Sequence, residues 1–162
     1  MTQQQQWPDI VLRPYRPDDA TGCFALFRLA IHAGTSPHYD AAQRAAWAGS
    51  GPMGDAWHSR LAAMHTTVAQ QAGGIVGFMS LRGDGYLDFA FVHPDLRRSG
   101  LAVRLLDRTL EQARRLGLRH LTTDASHLAR RFFLKHGWHE VAAQQVQRDG
   151  VMLENFRMAR SL

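Results

Sequence analysis

One cysteine in 162 residues removes two chemistries at once. Cys23 has no partner for an internal disulfide, and no thiolate cluster can hold a metal. It lies in the apolar run Cys23-Phe24-Ala25-Leu26-Phe27, which reads as the place of a buried structural thiol. A cysteine nucleophile needs an electropositive, partly open setting that this run lacks. Histidine is plentiful, at nine residues, yet none shows His-x-x-x-His or another ligand spacing, so no metal is expected. Long apolar runs are also missing, and nothing approaches the roughly eighteen residues needed to span a bilayer. The start, Met1 to Gln6, is polar and glutamine-rich, with no apolar segment behind a basic one. The expectation is a soluble cytoplasmic protein with no membrane partner and a flexible segment over residues 1–8. No linker or internal repeat divides the chain, which predicts a single domain over 1–162.

What is present is ordinary globular material: 45% hydrophobic and 20% charged residues, which argues against disorder. A chain of this length buries roughly two thirds of its unfolded surface. The formal net charge is +5, and seven arginines (Arg97, Arg98, Arg104, Arg108, Arg114, Arg115 and Arg119) fall between positions 97 and 119. A nucleic-acid surface is one reading of that cluster. The arginines are spread around a helix and no nucleic-acid motif accompanies them. A solvated face plus one site for a small polyanion is the simpler expectation, without a nucleic-acid partner.

Hydrophobic periodicity predicts a strand at Ile10–Pro14, then a helix capped by Asp18 or Asp19 and running to about Ile31. Ala20, Cys23, Phe24, Phe27 and Ala30 supply much of its apolar face. A short helix follows from Asp40 through Trp47, broken by Gly49-Ser50-Gly51-Pro52, and another covers about Asp55 to Met64. His65–Gln71 and Ile75–Leu81 read as strands joined across Gly73-Gly74. Tyr86–Val92 is nearly continuously apolar, which suits a central strand. A long helix spans about Ser99 to Leu116, with Ala102, Leu106, Leu110 and Ala113 on one face, widened by Val103 and Leu105. Gly117 stops it. A strand at Leu118–Thr123, a helix capped by Ser126 and ending near His136-Gly137, and a hairpin of His139–Val146 and Val151–Met158 complete the chain. The order predicts a mixed α/β fold, not a regular βαβ repeat.

The most specific local signal is Val92-His93-Pro94-Asp95-Leu96-Arg97-Arg98-Ser99-Gly100-Leu101-Ala102. A strand ends, a loop turns and a helix begins, so backbone N–H groups lack internal partners and the helix dipole favours an anion. Gly100 lets a ligand approach the backbone, Ala102 is too small to obstruct it, and Arg97 and Arg98 add charge at the rim. The physical expectation is a pyrophosphate cradle, weighed against a glycine present only for the turn. It is neither a nucleotide P-loop nor a three-glycine dinucleotide fingerprint.

This stretch resembles the coenzyme A motif of the GCN5-related N-acetyltransferases (GNAT), Gln/Arg-x-x-Gly-x-Gly/Ala after a strand ending near Val-x-Pro. Arg97-Arg98-Ser99-Gly100-Leu101-Ala102 follows Val92-His93-Pro94 with matching spacing. A second segment of the family, Asn-x-x-Ala-x-x-Leu-Tyr-x-x-x-Gly-Phe, is similar to Ser126 through Trp138, with Ser126 for the asparagine and Phe133 for the tyrosine. The front half, from Arg13-Pro14-Tyr15-Arg16-Pro17-Asp18-Asp19 through His32 to Tyr39–Ala48, is similar to the bacterial YafP-like acetyltransferases. Thr123-Asp124-Ala125-Ser126 and Asn155-Phe156-Arg157-Met158 agree. The resemblance implies a GNAT-like α/β fold, a central, mixed, strongly twisted sheet of six to seven strands flanked by about four helices. It also implies acetyl-CoA as cofactor, held by Phe91, Val92, Arg97, Arg98, Ser99, Gly100, Leu101, Ala102, Ser126 and Phe133.

Acetyl transfer to an amine needs a neutral amine, a polarised carbonyl and a tolerated thiolate. An alkylammonium has a pKa near 10.4, so a base or a water-mediated base is expected. Asp88, a carboxylate in an apolar strand, is the first candidate for base or substrate anchor, against a hydrogen-bonded structural role. His32, before the expected acceptor loop, is a candidate substrate contact, and His127 a candidate for proton transfer. The tyrosine that Phe133 replaces often protonates the leaving thiolate in the family; Tyr39 is the candidate donor in its place. Tyr39, Trp47 and Trp57 could form an aromatic wall for a small amine. The expected reaction is N-acetylation of a small-molecule or peptide amine, with a weak or inactive acyl-CoA-binding domain as the alternative and a homodimer as an open assembly state.

Overall fold

The computed structural model describes residues 9–162; the expected flexible segment at 1–8 lies outside them. One seven-stranded sheet runs through the protein in the order β1-β2-β3-β4-β5-β7-β6. The strands are β1 (Val11–Pro14), β2 (His65–Gln71), β3 (Gly74–Leu81), β4 (Tyr86–Val92), β5 (His120–Ala125), β6 (His139–Arg148) and β7 (Val151–Ser161). Every pairing is antiparallel except β4 with β5, which are parallel. Among the described residues five α-helices flank the sheet, one more than the family resemblance implied: α1 (Ala20–Gly34), α2 (Ala41–Ala48), α3 (Asp55–Ala62), α4 (Leu101–Arg115) and α5 (His127–Lys135).

Each face of the sheet has its own core. On one side Leu101, Leu105, Leu106, Leu110 and Ala113 of α4 and Phe133 of α5 pack over Met79, Leu81, Leu87, Leu121 and Met158. On the other, Cys23, Leu26, Phe27 and Ile31 of α1 and Leu61 of α3 cover Val68, Phe78 and Phe89. The inner face of α4 therefore differs from the periodicity reading: Leu101, Leu105 and Thr109 are buried, whereas Ala102 and Val103 are half-exposed. The stripe is rotated because Leu101 opens the helix against the sheet. In α1, Leu26 and Ile31 join the expected residues, while Phe24 is only half-buried. Cys23 is fully buried, and burial pushes its thiol up to about 12, so it is chemically inert at neutral pH.

Asp19 stands at the start of α1, but its side chain does not cap the helix. It accepts two hydrogen bonds from the Arg13 guanidinium (2.7 and 2.8 Å) and one from the Arg16 amide (2.8 Å), pinning β1 to the one-turn helix Pro17–Asp19. The Arg13 hydrogen bonds hold its carboxyl below the usual carboxylate range despite burial. Asp40 caps α2, accepting from the Gln43 amide, and Ser126 caps α5 as expected, through the Ala129 amide.

Candidate functional site

The site begins with a break in the sheet. β3 and β4 run in register from Gly77↔Val92 to Ser80↔Phe89, then shift to Leu81↔Leu87. Asp88 is the extra residue, a β-bulge that bends the strand. β4 meets β5 only at Tyr86↔Thr122 and Leu87↔Thr123. Beyond the bulge the two parallel strands part, and the Thr123 hydroxyl donates to the Leu87 carbonyl (2.8 Å) at the vertex. The His93 amide bonds to the Val76 carbonyl of β3 (2.8 Å). By strand alternation Phe91 and Phe89 also turn their N–H groups to β3, while Ala90 and Val92 turn theirs into the gap. Val92 and Ala90 thus turn their amides into the gap, whereas Phe91 turns its amide to β3 and lines the cavity beside it.

After β4 the chain makes a one-turn helix, Pro94–Leu96, capped by the His93 ring, which accepts from the Asp95 amide at 3.1 Å. In the turn that follows, the amides of Arg97 and Ser99 bond back to the carbonyls of Pro94 and Leu96, and the Leu101 amide bonds to the Ser99 hydroxyl oxygen. The amides of Arg98, Gly100, Ala102 and Val103 have no acceptor among the described residues. Arg98 (φ 63°) and Gly100 (φ 88°) both adopt left-handed backbone, which is what turns the alternate donors outward. A Cβ built on Gly100 would meet nothing within 4 Å, so the space over these donors is open. The turn has the shape and donor set for a diphosphate at a helix N-terminus. The Arg98 side chain is exposed beside it, whereas Arg97 lays its guanidinium against Gly34 at the end of α1. Leu101 is buried in the core, so its contribution to the turn is packing.

A cavity of about 380 Å³ occupies the gap between β4 and β5 and continues under α1–α3 and the β6–β7 hairpin. Its inner wall holds Ala90, Phe91, Ala125, Ser126, Ala129 and Phe133; its outer wall holds Phe24, Phe27, Tyr39, Trp47, Trp57 and Phe89. The three aromatic side chains expected near the acceptor, Tyr39, Trp47 and Trp57, all line it. Phe133 is buried against Trp138, with ring centroids 4.8 Å apart.

Three carboxylates reach this cavity, and their partners differ. Both Asp88 oxygens accept from Arg60, at 2.8 and 3.0 Å, and the Arg60 guanidinium also covers the Phe89 ring. Asp124 accepts from Arg157 (2.6 and 3.2 Å), the Tyr86 hydroxyl (2.8 Å) and Gln144 (2.8 Å). Burial pushes the Asp124 carboxyl upward, but these hydrogen bonds outweigh it and hold it below the usual range. Burial and the bond to Asp124 push the Tyr86 phenol upward, so it stays protonated. Glu154 alone of the three has no arginine partner; its carboxylate lies 3.0 Å from the His127 Nε2. Tyr39 donates its hydroxyl proton to the Glu154 carbonyl (2.7 Å), and the Tyr39 hydroxyl oxygen accepts from the His127 amide (3.3 Å). Burial raises its phenol above the ordinary value. His127 stacks on His38, with centroids 5.3 Å apart, and stands behind Glu154 rather than in the cavity lining. His32 is exposed on the last turns of α1, outside the lining.

Glu154, Asp124, Tyr86, Arg60 and Arg157 are thus site residues that sequence reasoning did not single out. Asp124 and Arg157 fell inside quoted segments, but their pairing depends on β5 and β7 lying in register, Asp124↔Arg157. Among the described residues no cluster of histidine, cysteine and carboxylate could hold a metal ion.

Comparison with known proteins places this geometry. The family described as acetyltransferase (GNAT) domain matches residues 35–160. The chain belongs to the GNAT acetyltransferase family. It is 34% identical over 150 residues to the uncharacterized N-acetyltransferase YafP of Escherichia coli strain K12, covering 93% of this chain and 95% of that one. A solved GCN5-related N-acetyltransferase from Rhodopseudomonas palustris shares 34% identity, with a TM-score of 0.89 over 95% of this chain and 96% of that one. The PaiA N-acetyltransferase of Thermoplasma acidophilum, solved in complex with coenzyme A, shares the fold at 13% identity, with a TM-score of 0.72 over 95% and 99%. In this fold the turn at Gly100 follows the last residue of β4, the strand that parts from β5. Phe133, where the family often has tyrosine, places no hydroxyl in the cavity.

Proposed function

We propose that this chain transfers an acetyl group from acetyl-CoA to a primary amine, by direct attack within a complex of both substrates. The observation that carries this is the set of four amides around Gly100 that have no acceptor among the described residues, in the turn after β4, whose Ala90 and Val92 face away from β3 into the gap toward β5. Acetyl-CoA, when bound, supplies the acetyl group as an activated thioester.

The chain's own residues account for the rest. Arg98, Gly100, Ala102 and Val103 would hold the diphosphate by backbone N–H, and Ala90 and Val92 would hold the pantetheine arm and polarise the thioester carbonyl. The aromatic wall of Trp47, Trp57, Phe24 and Phe27 excludes water and receives the body of the acceptor. Glu154 is the proton acceptor this geometry favours, because Asp88 and Asp124 are already committed to arginines. His127 behind it would share or pass on the proton. Asp88 and Arg60 act together as an acceptor-side anchor. Much of the rate can come from placing amine and thioester together. A free thiol with a pKa of about 8.5 is a fair leaving group, so Phe133 does not forbid turnover.

The test is acetyl-CoA-dependent thiol release over a panel of amines, with acetylated product identified by mass. Product formation with a linear double-reciprocal family that intersects supports direct transfer. Tight coenzyme A binding with no amine-dependent release would instead support the second reading, an acyl-CoA-binding domain without catalysis, which Phe133 favours.

A further inference from the structure

Outside the cavity a polar groove carries four arginines and three aspartates. Each aspartate has an arginine of its own: Asp88 with Arg60 (2.8 Å), Asp124 with Arg157 (2.6 Å), and Asp84 with Arg82. Arg148, the last residue of β6, is left over. It is exposed, forms no ion pair among the described residues, and lines both the inner cavity and the outer groove. Within the groove the balance is four positive charges minus three negative, and the aromatic chamber that Arg148 also lines adds Glu154, whose carboxylate lies against His127 and not against Arg148.

We propose that Arg148 is an anion-binding position of the acceptor site, and that the acceptor is an amine carrying a carboxylate on an apolar body. This rests on the acetyl-transfer reading above. A guanidinium presents its donors in a planar fork that matches a carboxylate. The aromatic wall inward of it suits an apolar side chain, and Glu154, on the opposite strand of the same hairpin, faces the same cavity to meet the amine.

A phosphate of the cofactor is the other anion to consider. None of residues 97–102 lines the cavity or the groove. The groove is bounded by Tyr86, the first residue of β4, whereas the diphosphate turn follows its last, Val92. These ends stand about 20 Å apart along the strand. Arg148 therefore belongs to the acceptor end.

The experiment compares L-phenylalanine with 2-phenylethylamine, the same aromatic body with and without the carboxylate, in the wild type, Arg148→Ala and Arg148→Lys. Thiol release and calorimetric binding to the coenzyme A-loaded protein are both read. Arg148→Ala is expected to lower the preference for phenylalanine over 2-phenylethylamine about tenfold, through the phenylalanine KM. The KM for acetyl-CoA stays unchanged, and Arg148→Lys retains part of the preference. A preference unchanged by Arg148→Ala, or an equal loss for both amines, overturns the proposal. The binding arm separates the two layers. Phenylalanine bound by the wild type but not by Arg148→Ala, without thiol release, keeps the anion position and sinks acetyl transfer. Acetylation of 2-phenylethylamine, with phenylalanine neither bound nor acetylated, keeps acetyl transfer and sinks the anion position. No binding and no release with either amine overturns it as well.

Discussion

Two glycines at the two ends of α4 make a matched experiment. Gly100 opens the helix with φ 88°, Gly117 follows it with φ 75°, and a Cβ on either would meet nothing within 4 Å. Alanine at either position keeps the left-handed backbone at a cost of about 1 kcal/mol. For a domain of this size that lowers Tm by about 2–4 °C. The two substitutions should therefore look alike in a thermal melt without ligand. They should differ sharply in coenzyme A binding. The Gly100 methyl stands in the space over the free amides of Arg98, Gly100, Ala102 and Val103 and would hold a diphosphate away from them. Losing two hydrogen bonds to a charged group, at about 1.5 kcal/mol each, weakens binding about a hundredfold. Gly117→Ala should bind within twofold of the wild type, because its methyl lies at the far end of a fifteen-residue helix. Calorimetric titration with coenzyme A gives both values. Equal affinity of the two variants would show that the turn at Gly100 is not where the diphosphate sits.

Other outcomes follow from the ion pairs. Asp19→Ala leaves the largely buried Arg13 guanidinium without its partner, which should cost about 3 kcal/mol in urea unfolding and leave the cavity lining untouched. The Asp124 carboxyl lies below its unfolded value, so its contribution is complete above about pH 4 and is lost as pH falls through the folded pKa. Urea midpoints of the wild type and Asp124→Asn should accordingly differ at pH 6 and converge towards pH 2. Glu154→Gln should lower kcat/KM about a hundredfold, whereas Asp88→Asn, whose carboxylate is already held by Arg60, should lower it less than tenfold. The reverse order would return the proton acceptor to Asp88.

Local chemistry was legible in the chain alone. The apolar periods of α1 and β4, the presence of a long helix at α4 and the cap at Ser126 follow from interactions within a few residues, so the order of elements could be written down directly; the β2–β3 turn falls one residue earlier than read, at Ala72-Gly73, because Gly74 pairs with Gln71. The backbone of the turn at Gly100 belonged to this class too, because a strand end, a glycine and a helix start are consecutive. Asp19 marks the limit. Its position suggested a helix cap, but a tertiary partner, Arg13 of β1, competed for the carboxylate and won.

The reacting end of the site was decided by register. The bulge at Asp88 exists because β3 pairs Leu81 with Leu87, and it both parts β4 from β5 and delivers Asp88 to Arg60 of α3. Asp124 meets Arg157 and Gln144 only because β7 lies between β5 and β6, and Glu154 reaches His127 only because the hairpin folds over α5. Charge alone did not reveal which carboxylate would be spent on an arginine and which left free. That choice is made by contacts between residues up to thirty-three positions apart, and only the folded sheet brings them together.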